Sequence, residues 1–124
     1  MSRLPVAVTD EAQRVLCARC TVADRPLARL RGLLGRRELP AGEGLLLRPS
    51  PSIHTWFMRF PIDVVFLDNE LRVLAVRNDV GPWRMAMQRG ARAVLELAAG
   101  EAQQRAIRPG AQLRLVAIGA DDGG

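Results

Sequence analysis

The 124-residue chain has no lysine, one histidine, two cysteines and five aromatic residues. Each shortage closes off a class of chemistry. Two cysteines cannot build a disulfide framework. With no third cysteine and one distant histidine, they also lack partners for a structural zinc site. A single histidine excludes the paired-histidine metal motifs, and the chain carries neither a Gly-x-Ser-x-Gly elbow nor a Gly-rich phosphate loop. No apolar run reaches the length of a membrane span. The expectation is therefore no metal, no cofactor and no membrane. The apolar run in residues 1–8, MSRLPVAV, is too short for a signal peptide and is broken by Pro5, so the cytoplasm is the expected location.

Without lysine, the net charge of +5 rests on 18 arginines against 13 acidic residues. A basic balance can mark a nucleic-acid binder. Here the arginines are spread along the chain, with Arg36-Arg37 the one adjacent pair, and Ala, Gly, Leu and Pro abound. That pattern fits a compositional bias as well as a phosphate-binding face, and it argues against nucleic acid.

What is present is an ordinary globular composition, 48% apolar and 25% charged with mean hydropathy +0.02, enough for one domain with a core. Residues 1–12 read as a variable N-terminal segment, frayed or forming an edge strand. Residues 13–119 read as one β-rich domain, and 120–124 as a disordered tail. Residues 14–22 have strand character, with Val15 and Cys17 on one face and Leu16 and Cys20 on the other. On that reading Cys17-Ala-Arg-Cys20 is a pair of partly buried thiols rather than a redox motif, which needs a helix N-terminus. Asp24, Pro26 and the spacing of Leu27, Leu30 and Leu34 predict a helix ending at Gly35. Leu45–Leu47 is a short buried strand stopped by Pro49 and Pro51.

Residues 52–68, SIHTWFMRFPIDVVFLD, hold the lone histidine and four of the five aromatics. Read as a strand, His54, Trp56, Met58 and Phe60 face one way and Ile53, Thr55, Phe57 and Arg59 the other. After Pro61 the run 62–67 is almost wholly apolar, so it should be covered on both faces. Asp63 interrupts it and needs a partner, from Arg59, His54 or backbone N–H groups. Asp68-Asn69-Glu70 looks like a hairpin turn with Asn69 suited to positive φ. Residues 71–76 return as a strand. Residues 77–92 lack periodicity and read as a long loop carrying Trp83, Met85 and Met87. Strands at 93–98 and 113–118, a short helix at 100–106 and a type II turn at Pro109-Gly110 complete the reading. Many short strands with one or two short helices predict a mainly β, compact, sandwich-like or barrel-like single domain.

Three segments carry a resemblance to a known family. They are ADRPLARLRGLLGRRELPAGEGLLL (23–47), FPIDVVFLD (60–68) and AVLELAAGEAQQRAIRPGAQLRL (93–115). Arg-x-Gly-Leu-Leu-Gly-Arg, Pro-Ile-Asp before an apolar strand and Leu-Glu-Leu-x-x-Gly, in this order, resemble the bacterial and archaeal family known as domain of unknown function 192. The resemblance implies a small, mostly β domain and no particular activity. Many relatives look secreted and carry Trp-Met-Lys-Asn-Thr before the Pro-x-Asp. This chain has His54-Thr-Trp-Phe-Met-Arg59 there instead.

Three functions are compatible with these residues. The first is a non-catalytic binding domain for a small molecule or peptide, with His54, Trp56, Met58 and Arg59 along a pocket, Asp63 and Glu96 as polar anchors and Trp83 on a covering loop. The second is a hydrolase-type enzyme using His54 as general base, oriented by Asp63 or Glu96. Its nucleophile would come from Ser50, Ser52, Thr55 or a cysteine. The third is a nucleic-acid binder using Arg59, Arg77, Arg84 and Arg89 around Trp56 and Trp83. The oligomeric state stays open.

Overall fold

The protein is described by a computed structural model over residues 5–23, 38–55 and 58–118. The expected helix from Asp24 to Gly35 lies outside these residues, as does Trp56. Nine strands and one short helix follow one another in the described chain. They are β1 (Val6–Asp10), β2 (Val15–Ala23), β3 (Glu43–Leu47), β4 (Ser52–His54), β5 (Ile62–Leu67), β6 (Val73–Val80), β7 (Met85–Met87), β8 (Ala93–Ala98), α1 (Glu101–Gln104) and β9 (Leu113–Ala117). Seven strands form one sheet in the order β6-β5-β8-β3-β2-β1-β9, and β4 pairs with β7 in a second, two-stranded sheet. All pairings are antiparallel except β2 with β3. Among the described residues no helix is long and apolar enough to cross a membrane.

The large sheet curls. Its first and last strands approach at one corner, where Val73 N–H donates to the Ala111 carbonyl, Leu113 N–H to that of Leu71, and Arg72 bridges Gln112. The contact stops there, and the sheet does not close into a barrel. Curling gives two apolar layers. The inner one gathers Leu16, Cys17, Cys20, Leu46, Val65, Leu95 and Leu97, with Ala102 and Ile107 from α1 and the turn after it. The outer one gathers Ile53, Met58, Ile62, Val64, Phe66 and Val94. Strand β5, buried at all six positions, is covered on both faces as its apolar run implies.

Several elements differ from the sequence reading for identifiable reasons. β1 is an interior strand, flanked by β2 and β9, rather than an edge. The register between β1 and β2 slips between Val8↔Cys17 and Val6↔Cys20, so β2 carries one extra residue there, a β-bulge. The bulge resets the alternation. Cys17 and Cys20 therefore share the inner face instead of opposing each other, and both are fully buried. Cys17 Sγ donates to the Gly42 carbonyl at 3.5 Å and Cys20 Sγ to that of Thr21 at 3.7 Å. The interaction between the two thiols holds Cys17 below its ordinary range and, with burial, pushes Cys20 above its own. In the turn after β5, Asp68 Oδ1 accepts the N–H groups of Glu70 and Arg72, and it is Leu71, not Asn69, that takes positive φ, at 66°. Residues 77–92 are not a structureless loop. β6 runs through to Val80, and β7 forms inside the stretch. At Pro109-Gly110 the expected type II turn is present, with Gly110 at φ 93° and Ala111 N–H bonded to the Arg108 carbonyl.

Gly44 lies at the crowded centre of the sheet. A Cβ there would fall 2.8 Å from Cys17 Sγ, 2.9 Å from Leu97 Cδ2 and 3.0 Å from the Glu96 carbonyl oxygen. The last neighbour is backbone and cannot swing aside. Gly44→Ala is expected to cost about 2–3 kcal/mol through overpacking, read as a lower urea midpoint at unchanged m-value.

Candidate functional site

The small sheet is built by three cross-strand pairs: Ser52 with Met87, Ile53 with Ala86 and His54 with Met85. Directly opposed residues share a face. Ile53 is buried in the outer core and Ala86 packs against it. The other two pairs therefore turn outward, placing His54 beside Met85 and Ser52 beside Met87. The sheet is pinned to the following turn by Thr55. Its buried hydroxyl donates to the Gly81 carbonyl at 2.6 Å and accepts the Arg84 N–H at 2.8 Å, and its backbone bonds Trp83 N–H and the Arg84 carbonyl. Trp83 adopts positive φ, 63°, in that turn.

This corner carries the largest exposed apolar side chains of the small sheet and its turn. Trp83 is 60% exposed and Met85 and Met87 are each 69% exposed. Beside them an open groove of about 470 Å³ runs between the end of β6 and β7, lined by Arg77, Asp79, Val80, Gly81, Arg84, Met85, Ala86 and Met87. Arg77 is steadied there, its guanidinium 5.8 Å from the Phe66 ring centroid and bonded to Gln88 Oε1 at 3.3 Å. A smaller hollow of about 240 Å³, between Arg48, Arg92 and Asp68, contains none of the seven residues expected at a site.

The seven residues expected at a site fall into different environments. His54 is half-buried on the outer face of β4, and Trp83 is at the same corner, its N–H bonded to the carbonyl of the next residue, Thr55. Arg59 is exposed in a bend. Met58 is buried in the outer core, so the alternation drawn through residues 52–60 ends with β4 at His54. Trp56 lies outside the described residues. Glu96 lies on the face of β8 shared with Val94, between Leu45 of β3 and Val64 of β5. Its Oε1 has no hydrogen-bond partner among the described residues, and burial raises its carboxyl to about 8, so it is mostly protonated at neutral pH.

Asp63 is fully buried on β5. Its Oδ1 accepts Asp79 N–H at 2.8 Å, and its Oδ2 accepts Gly100 N–H and Ala102 N–H, each at 2.9 Å. Gly100 precedes α1 and has no side chain to cap the helix, so Asp63 supplies that cap from across the sheet. Of the partners the sequence allowed, backbone N–H groups are the ones used. Both oxygens accept these groups, which makes Asp63 a structural member of the site's scaffold. Among the described residues no three His, Cys, Asp or Glu side chains converge as metal ligands.

Thr55 and Arg77 entered the sequence reading only as a nucleophile candidate and a basic flank. Here they hold the turn and line the groove. The signal for β7 was the alternation Met85, Ala86, Met87, two long apolar residues around a small one, which is too short to stand out without its β4 partner.

Residues 6–115 match the family DUF192, described as Uncharacterized ACR. No curated protein matches the chain. Among solved structures, a protein of unknown function from Novosphingobium aromaticivorans is 26% identical, with 89% of this chain and 83% of that one covered and a TM-score of 0.76. A protein from Sinorhizobium meliloti, described as a proposed transcription regulator, is 22% identical, with 93% and 96% covered and a TM-score of 0.80. That second likeness shows the fold alone.

Proposed function

Because this chain belongs to the DUF192 family, whose description assigns no activity, we propose its function from its own surface: it is a small non-catalytic binding domain. The ligand, a peptide or small molecule, sits at the corner formed by the outer side of β7 and the groove beside it. The observation that carries this reading is the joint exposure of Trp83, Met85 and Met87 at one corner, beside the groove lined by Arg77 and Arg84. Leaving three large apolar side chains in water forfeits burial energy of roughly 1.5–3 kcal/mol each, a loss that a bound partner would recover. Aromatic and methionine side chains with nearby arginines also match the composition of binding patches.

Native mass spectrometry of the freshly purified protein tests the reading. The wild type is expected to retain a bound species that the double variant Met85→Glu/Met87→Glu loses, with both proteins melting within a few degrees of each other. His54→Ala is expected to reduce the bound fraction more than it reduces stability. A bound species kept in full by the double variant would place the site elsewhere.

A further inference from the structure

The same corner shows how a ligand would be held, and the inference that follows rests on the binding face proposed above. We infer that the groove between β6 and β7 accepts an extended peptide as an added strand, with an apolar centre and flanking carboxylates.

The lining is the first reason. The groove touches three consecutive residues on each side, Asp79–Gly81 and Met85–Met87. Successive side chains of a strand point to opposite faces, so a surface that contacts every residue in turn follows the strand's edge, not one of its faces. The hydrogen-bond ladder is the second reason. Thr55 N–H donates to the Arg84 carbonyl. In an antiparallel ladder bonded and non-bonded pairs alternate, so the next bonded pair is Ile53 with Ala86. The pairs of Met85 with His54 and Met87 with Ser52 are the non-bonded ones. Met85 and Met87 therefore turn their N–H and C=O groups away from β4, towards the edge that the groove follows. Across the groove, β6 is an end strand of the large sheet, and β9 meets its beginning only. The outward backbone groups of β7 thus border one open channel, opposite the end of β6, where Asp79 N–H is held by Asp63 and the Gly81 carbonyl by Thr55, so the added strand pairs with β7. Exposed edges of this kind recruit a further strand, with main-chain bonds giving affinity and alternate side chains giving selectivity.

The side chains select the occupant. Met85 and Met87 lie along one face of the added strand and favour apolar residues at its centre. Arg77 and Arg84 outnumber the single Asp79 on the walls, and they favour carboxylates at the ends of the inserted segment.

The test uses the whole protein and a fluorescein-labelled, end-blocked peptide, Glu-Val-Leu-Val-Glu, followed by anisotropy. Binding is expected at low salt. N-methylation of the alternate peptide nitrogens facing the protein should weaken it by roughly tenfold or more, the loss of two main-chain hydrogen bonds. Met87→Pro removes the outward N–H without touching the Ile53–Ala86 bonds and should weaken binding similarly. Replacing both Glu residues of the peptide by Lys should abolish it. Equal binding of the N-methylated peptide would overturn strand addition while leaving the binding face intact. Equal binding of the Lys peptide would overturn the charge assignment. No binding of the Glu peptide would also overturn strand addition, and the species retained in native mass spectrometry then decides separately on the face itself.

Discussion

Asp63→Ala is expected to remove about 3–5 kcal/mol of stability, a large share of what holds the domain folded. The carboxylate accepts three backbone N–H groups, from Asp79, Gly100 and Ala102, in a residue with no exposed surface. An unsatisfied buried donor costs roughly 1–3 kcal/mol, and the total stability of a domain this size is about 5–15 kcal/mol. The Ala102 bond is wholly buried, whereas water can reach the other two in part, which keeps the sum below its simple maximum. Asp63→Asn keeps one acceptor. Turned towards Gly100 and Ala102, that oxygen still caps α1, and the amide then faces Asp79 N–H donor to donor. A loss of about 2 kcal/mol follows. Urea denaturation of the two variants separates these values. If Asp63→Ala unfolds within about 1 kcal/mol of the wild type, the capping role is wrong.

Glu96 sets a pH dependence of the opposite sense to the usual carboxylate. Burial raises its folded-state value from 4.5 to about 8. Below pH 4.5 both folded and unfolded chains hold the proton, and the stabilisation from this group is complete. Between pH 4.5 and 8 the folded state keeps a proton that the unfolded chain has released, so stability falls as pH rises. By pH 7 the loss is on the order of 3 kcal/mol. Glu96→Gln has nothing to release and should flatten the profile, becoming more stable than the wild type at pH 8. Denaturant titrations from pH 5 to 8 measure both slopes. Parallel wild-type and Glu96→Gln curves would show that Glu96 does not titrate in this range.

The sequence made the regular parts of this fold legible. The strand at 93–98 appears with those bounds, and β5 is covered on both faces because its apolar run has no polar alternation. Asp63 was recognised as a buried charge in need of partners, since no exposed face was left for it. What escaped were events that depend on the neighbouring strand. The bulge between Cys17 and Cys20 is a register slip against β1, invisible to parity within β2 alone. The short β7 exists only through β4, and its three residues carry too little periodicity to separate it from loop. The split of the candidate site has the same origin. His54 and Met58 fall in line only if the chain stays extended from 52 to 60, and β4 ends at His54. Glu96 was placed at a pocket because it is a carboxylate. Its parity with Val94 already pointed into the outer core.

The pairing of β1 with β9 fixes the order of assembly. Val6–Asp10, almost the first part of the described chain, aligns residue by residue with Leu113–Ala117, almost the last. A nascent chain emerging from the ribosome can form the β5–β6 hairpin early, because its strands are close in sequence. It must hold β1 with one edge open until the final strand has been made. Most of the remaining sheet contacts also join distant segments, and topologies of that kind fold slowly. During synthesis the exposed flank of β1 is therefore open to mispairing with another chain. Deleting β9 would make that transient exposure permanent.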